Sequence, residues 1–185
     1  MIARHEVLLS IYGAWRLFLR DPRGIEWLDD SVDGFWKSFF CAVLVLPVFM
    51  LWVMLAELDA GFLRIVTVEG IAYVIHWVAW PLAMAYLAPA IDRDRNYIRY
   101  IVAFNWSSAI VAVILILLLT IEQAGLATGN LLILISLIAR AIMLSYHWYV
   151  ARIALEVSGI GAAGLVIAEF VLGQIINAVS LGMLR

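Results

Sequence analysis

Lysine is all but missing from this chain. Lys37 stands alone beside eleven arginines, a bias that reads as the codon usage of a GC-rich bacterial genome. Cysteine is equally scarce. Cys41 is the only one, so no intrachain disulfide can form, and within an apolar run it reads as a small buried residue. Charge of either sign is sparse, at 14% of residues with a net of −2, which gives no basis for nucleic-acid binding. Several signatures are absent too. There is no phosphate-cradling glycine loop, no G-x-S-x-G, and no zinc spacing among His5, His76 and His147. Catalysis, a bound cofactor and a protein-held metal therefore have no motif behind them, and a non-enzymatic protein is expected. Strand-like alternation is lacking, which excludes a barrel reading.

Apolar residues are what the chain has instead, at 66%, well above the half or so of a soluble domain. They gather in five stretches long enough to cross a bilayer as helices, which takes about 20 residues. These are about 35–55 with Pro47, about 65–90 with His76 and Pro81, about 100–121, about 131–150 and about 160–184. Unpaired backbone groups are costly in lipid, so the expected fold is an all-α integral membrane protein of five transmembrane helices.

Residues 4–20 (RHEVLLSIYGAWRLFLR) mix charge into an apolar run and lack a clean signal-peptide core. They fit an amphipathic helix. Glu6, Ser10, Gly13, Arg16 and Arg20 form a narrow polar stripe, and Val7, Leu8, Ile11, Trp15, Phe18 and Leu19 a broad apolar face. Such a helix lies in the membrane interface or packs on the bundle. Trp15, Phe18, Arg16 and Arg20 are its candidate partner or membrane surface. Asp21-Pro22-Arg23-Gly24 breaks it, and Asp30 or Ser31 would cap the next helix. Residues 1–34 thus read as a cytoplasmic helix-and-turn segment, and 35–185 as the five-helix transmembrane domain.

The basic residues set orientation. Arg4, Arg16, Arg20, Arg23, Lys37, Arg93, Arg95, Arg99 and Arg152 fall on one side, against Arg64 and Arg185 on the other. By the positive-inside rule the N-terminus is cytoplasmic and the C-terminus outside, as in a bacterial inner membrane.

A few polar residues interrupt the spans, and there they are expensive. Ser136, Arg140 and His147 share a face of the fourth span; Glu169, Gly173, Asn177 and Ser180 share one of the fifth. Measured from the expected span ends, Arg140 lies roughly 15 Å deep and Glu169 roughly 14 Å, so these two are expected to pair. Glu69, Tyr73, His76 and Trp80 share a face of the second span, and Asn105 and Ser108 lie in the third, giving a second polar face of Glu69, His76 and Asn105. One reading is structural: a buried ion pair and interhelical hydrogen bonds that set register. The other joins Glu69, His76, Arg140, His147 and Glu169 into a polar path, as in proton-coupled transporters. Asp92 and Asp94, in IDRDRNY, sit among arginines where they could meet a headgroup or simply water.

Five spans, the helix-breaking RDPRGIEW before the first of them, and Asn105 in the third together resemble the Yip family (Ypt-interacting proteins) and its bacterial relatives, over roughly residues 10–185. The resemblance implies a five-span fold with the N-terminus in the cytoplasm. It also implies the association of the eukaryotic members with small GTPases and vesicle formation; their long N-terminal extension has no counterpart here. The expected function is a membrane protein that binds or organises other membrane components, its partners being the lipid bilayer, other membrane proteins or further copies of itself. The alternative is a small oligomeric transporter or channel.

Overall fold

A computed structural model describes residues 2–56 and 60–185. Residues 57–59, part of the expected loop between the first two spans, and Met1 lie outside the described residues. Among the described residues the regular structure is all helical: α1 (Arg4–Phe18), a 3₁₀ turn (Pro22–Trp27), α2 (Val32–Ser38), α3 (Phe40–Leu55), α4 (Phe62–Ala90), a short 3₁₀ turn (Asp94–Asn96), α5 (Tyr97–Gln123), α6 (Gly129–Leu155) and α7 (Gly159–Leu184). Taking α2 and α3 together, five helical segments are long and apolar enough to cross a membrane. They match the five expected stretches, but most run further. The fourth continues from the expected end at Val150 to Leu155.

Local chemistry sets the ends. The Glu6 carboxylate reaches back to the backbone N–H of Ala3 at 2.6 Å, closing the first turn of α1. Arg20, at φ 64°, stops that helix. Asp21 then accepts from the Arg23 N–H at 3.0 Å with Pro22 next to it, a placement that suits a residue with no amide to offer. Ser31 caps α2 by accepting from the Gly34 N–H at 3.0 Å. Ser158 caps α7 in the same way through Gly161, at 3.1 Å. Pro47 and Pro81 lie inside α3 and α4, which continue through them.

The most deeply enclosed helix is α5. Its residues Tyr100 to Ala103, Asn105 to Ser107 and Ile110 are all buried, because α1, α2, α3 and α6 pack around it. Helix α7 closes the bundle by packing on both α4 and α6.

Helix α1 lies across α5 and α6. Its buried face is Ser10, Gly13, Ala14 and Leu17, while Leu8, Leu9, Tyr12, Trp15 and Leu19 are exposed. Three of the four buried residues are small, Leu17 being the exception, and Gly13 is covered by the 3₁₀ turn. Tyr146 of α6 fastens the helix by donating its hydroxyl to the Ala14 carbonyl at 2.7 Å. The 3₁₀ turn folds back onto α1 where two glycines meet: a Cβ on Gly24 would lie 2.5 Å from the Gly13 carbonyl oxygen, and one on Gly13 would lie 2.7 Å from that of Gly24.

An ion pair joins α1 to α2. Lys37 Nζ lies 2.7 Å from Glu6 Oε1. The Lys37 ammonium and the Ala3 N–H hold the Glu6 carboxyl below its ordinary range. The folded state therefore favours the charged form. Its contribution is complete above the unfolded glutamate value of about 4.3, and it is lost as the pH falls through the lower folded value. Amide exchange in α1 should accelerate only in that acid window, and Glu6→Gln should flatten the response. Loosening of α1 already at pH about 6 would contradict this assignment.

Candidate functional site

Helices α6 and α7 run antiparallel from a tight corner at Glu156, which adopts φ 55°. Residues at similar distances from the corner face each other, and this brings His147 to Glu169. The imidazole Nδ1 lies 3.0 and 3.1 Å from the two carboxylate oxygens, with side-chain exposures of 13% and 18%. A carboxylate accepts, so Nδ1 carries the proton. The other ring nitrogen, Nε2, is buried with no partner among the described residues. Phe104 of α5 packs on the imidazole with ring centroids 5.0 Å apart.

Glu169 also lines a cavity of about 100 Å³ with His76, Ala79, Trp80, Phe104, Leu172, Gly173 and Ile176. Gly173 faces α4 here, where a Cβ would make an ordinary contact with His76 Cε1 at 3.7 Å. Beside the cavity the Trp80 indole donates to the Tyr100 hydroxyl at 2.9 Å, both residues being buried. A volume of this size has room for several waters and offers them polar walls on two sides.

The expected Arg140–Glu169 pair is replaced by His147–Glu169. Arg140 is exposed, and its guanidinium lies 6.0 Å from the centroid of the Phe170 ring. No carboxylate among the described residues comes within ion-pair distance of it. The reason is the length of α6. Five residues beyond the expected span end move Arg140 about 7 Å further from the corner, while Glu169 keeps its place in α7.

The other polar residues do not join this pair. Ser136 and Asn177 are half-buried; Asn177 offers only its backbone carbonyl, to the Ser180 hydroxyl at 3.1 Å. Glu69 is buried but lies seven residues from His76 along α4, about 10 Å. Between them α4 meets α7 through an apolar groove that includes Ala72, Ile75 and Ile176. Asn105 turns to α2, donating to Ser38 Oγ at 2.8 Å, so the second polar face of Glu69, His76 and Asn105 is not one site.

At the α1 surface, Arg16 is bonded to Asp21, at 2.9 Å from its Nε. Arg20 donates to the Ser145 carbonyl at 2.7 Å and covers the Tyr149 ring. Phe18 packs edge-on against Tyr146 at 5.3 Å, and Trp15 is exposed. Sequence reasoning did not single out Tyr100, which stands beside the cavity and accepts from the Trp80 indole. The available signal was its spacing of four from Phe104.

Compared with family models, with curated proteins and with solved structures, the chain matches none.

Proposed function

We propose that the protein is a non-enzymatic integral membrane protein, Yip-like in layout, that organises other membrane proteins through the surface of α1. The observation that carries this reading is the orientation of α1, which buries Ser10, Gly13, Ala14 and Leu17 and presents Leu8, Leu9, Tyr12, Trp15 and Leu19 outward. A face of this kind suits lipid and a membrane partner, not water. Counting about 20 residues from Asn130 places the cytoplasmic edge of the hydrocarbon near Val150. Tyr146, which holds α1, then lies about 6 Å below that edge, at the depth usual for an interfacial helix, about 5–10 Å. The N-terminus is cytoplasmic by the arginine asymmetry, in the inner membrane of a bacterium. Arg140 lies near mid-bilayer and extends along Phe170 toward the cytoplasmic side, as long basic side chains do.

Purification from native membranes in mild detergent should bring down a stoichiometric membrane protein. A Leu8→Asp, Trp15→Asp variant should lose it while keeping its helical content. Recovery of the chain alone, or retention of the partner by that variant, would sink the reading.

Transport is the second reading, favoured by the cavity between His76 and Glu169. The apolar stretch at Ala72 and Ile176 interrupts any polar route from there toward Glu69. Proteoliposomes should accordingly show no proton movement above protein-free vesicles, and flux abolished by Glu169→Gln would favour transport instead.

A further inference from the structure

The α4–α5 and α6–α7 corners meet in a network of their own. Arg99 donates from Nε to the Ala154 carbonyl at 2.8 Å and pairs through Nη2 with Glu156 at 2.6 Å. Asn96 donates to the Leu155 carbonyl at 3.1 Å. These bonds satisfy the last carbonyls of α6 and suit the negative end of its dipole. The Arg99 guanidinium holds the Glu156 carboxyl below its usual range.

Next to this network lies a cavity of about 370 Å³ lined entirely by polar residues: Asp92, Arg93, Asp94, Arg95, Asn96 and Glu156. Two features set it apart from an ordinary charged turn. First, its two remaining arginines and two aspartates do not pair with one another; among the described residues, the only ion pair at this corner is Arg99–Glu156. Second, Arg93 Nε is buried without a partner, while its Nη1 is spent on the Asp92 carbonyl at 2.9 Å. Both Asp92 and Glu156 hold left-handed backbone conformations, at φ 56° and 55°. Both residues line the same cavity.

Guanidinium groups in this setting recognise phosphate oxygens. Free carboxylates beside them recognise an ammonium with N–H donors. With Glu156 neutralised by Arg99, two groups of each sign remain in the cavity, which suits a ligand that is itself neutral and carries both charges. We propose that this corner binds a phosphate joined to a primary ammonium, the headgroup of an ethanolamine phospholipid. The inference rests on the membrane placement proposed above. Glu156 lies six residues past Val150, about 9 Å beyond the hydrocarbon edge, within reach of the headgroup layer. Trp148 and Tyr149 lie just below it on α6, as aromatic residues do at that boundary.

The test uses the full chain reconstituted into vesicles of equal parts phosphatidylethanolamine, phosphatidylcholine and phosphatidylglycerol. Flotation with the vesicles checks the membrane placement separately from headgroup choice, and a chain that does not float overturns that placement and the lipid site with it. After mild extraction, retained lipid is identified by native mass spectrometry. Phosphatidylethanolamine should be enriched about tenfold over each of the others, the worth of one charge-assisted bond. Arg95→Gln and Asp94→Asn, both at exposed positions, should each abolish the enrichment, and Arg152→Gln should keep it. Arg93→Gln should do as Arg95→Gln does if it folds. Phosphatidylglycerol retained as well as phosphatidylethanolamine would show that only negative charge is read. Phosphatidylcholine retained equally would show that the ammonium is not read. Either result, or an unchanged preference in the variants, overturns the proposal. Soluble phosphoethanolamine added to the vesicles should not displace the lipid at comparable concentration; displacement would keep the headgroup chemistry and overturn the lipid as its source.

Discussion

Replacing His147 with alanine should destabilise the folded bundle by about 3 kcal/mol, near the low end of what loss of one member of a buried pair costs. The variant would leave Glu169, 18% exposed at its side chain, facing Phe104 and the cavity wall with no donor from α6. Replacing Glu169 with leucine should cost a similar amount, because the imidazole then loses its acceptor at Nδ1 while Nε2 is already without a partner. Removing both together, as His147→Leu with Glu169→Leu, should cost clearly less than the sum. The coupling should fall in the range of about 0.5–3 kcal/mol measured for residues in contact. Denaturation in detergent micelles followed by circular dichroism measures all three. Arg140→Gln serves as the contrast and should change stability by less than about 1 kcal/mol, since the guanidinium meets only the Phe170 ring at 6.0 Å. If Arg140→Gln costs as much as His147→Ala, the arginine has a partner that this geometry does not show.

The second large effect concerns Gly24. A methyl group there would meet the Gly13 carbonyl oxygen at 2.5 Å and the Leu17 amide nitrogen at 2.8 Å. Both are backbone atoms of α1, so no side-chain rotation relieves the overlap. Gly24→Val should therefore push the 3₁₀ turn off α1 and cost about 1–3 kcal/mol, the usual range for overpacking. The damage should stay local. Proteolysis within residues 20–30 should become rapid, while the helical content of α4 to α7 is unchanged. Protease resistance equal to the wild type would mean that the two segments part without loss and that the glycine contact holds nothing.

The five long helices were legible because the apolar runs are nearly uninterrupted and a helix that must bury its own backbone groups needs little else. Their ends were less so. The fourth span was expected to end at about Val150 with Arg152 beyond it, yet α6 runs on to Leu155, where Asn96 and Arg99 take its terminal carbonyls. That continuation alone moved the partner of Glu169 from Arg140 to His147. Spacing along one helix tells which residues share a face, and all of these did. It does not fix the level at which two helices meet, because that depends on where the corner falls. The inward face of α1 was hidden for a different reason. The apolar pattern put Leu8 and Trp15 on a face for either the membrane or the bundle; close approach favours small residues, and Ala14 took the contact with α6 while Gly13 took that with the 3₁₀ turn.

The hydroxyl of Tyr146 meets the carbonyl of Ala14 across 132 residues of chain. At about 5–20 residues per second, a ribosome needs roughly 7–26 s to make that interval. Helix α1 packs on α5, which is made sooner, but the bond that fastens it waits for α6. During that time the Ala14 carbonyl lacks the tyrosine hydroxyl. A factor that receives the chain during translation would meet α1 before it is pinned.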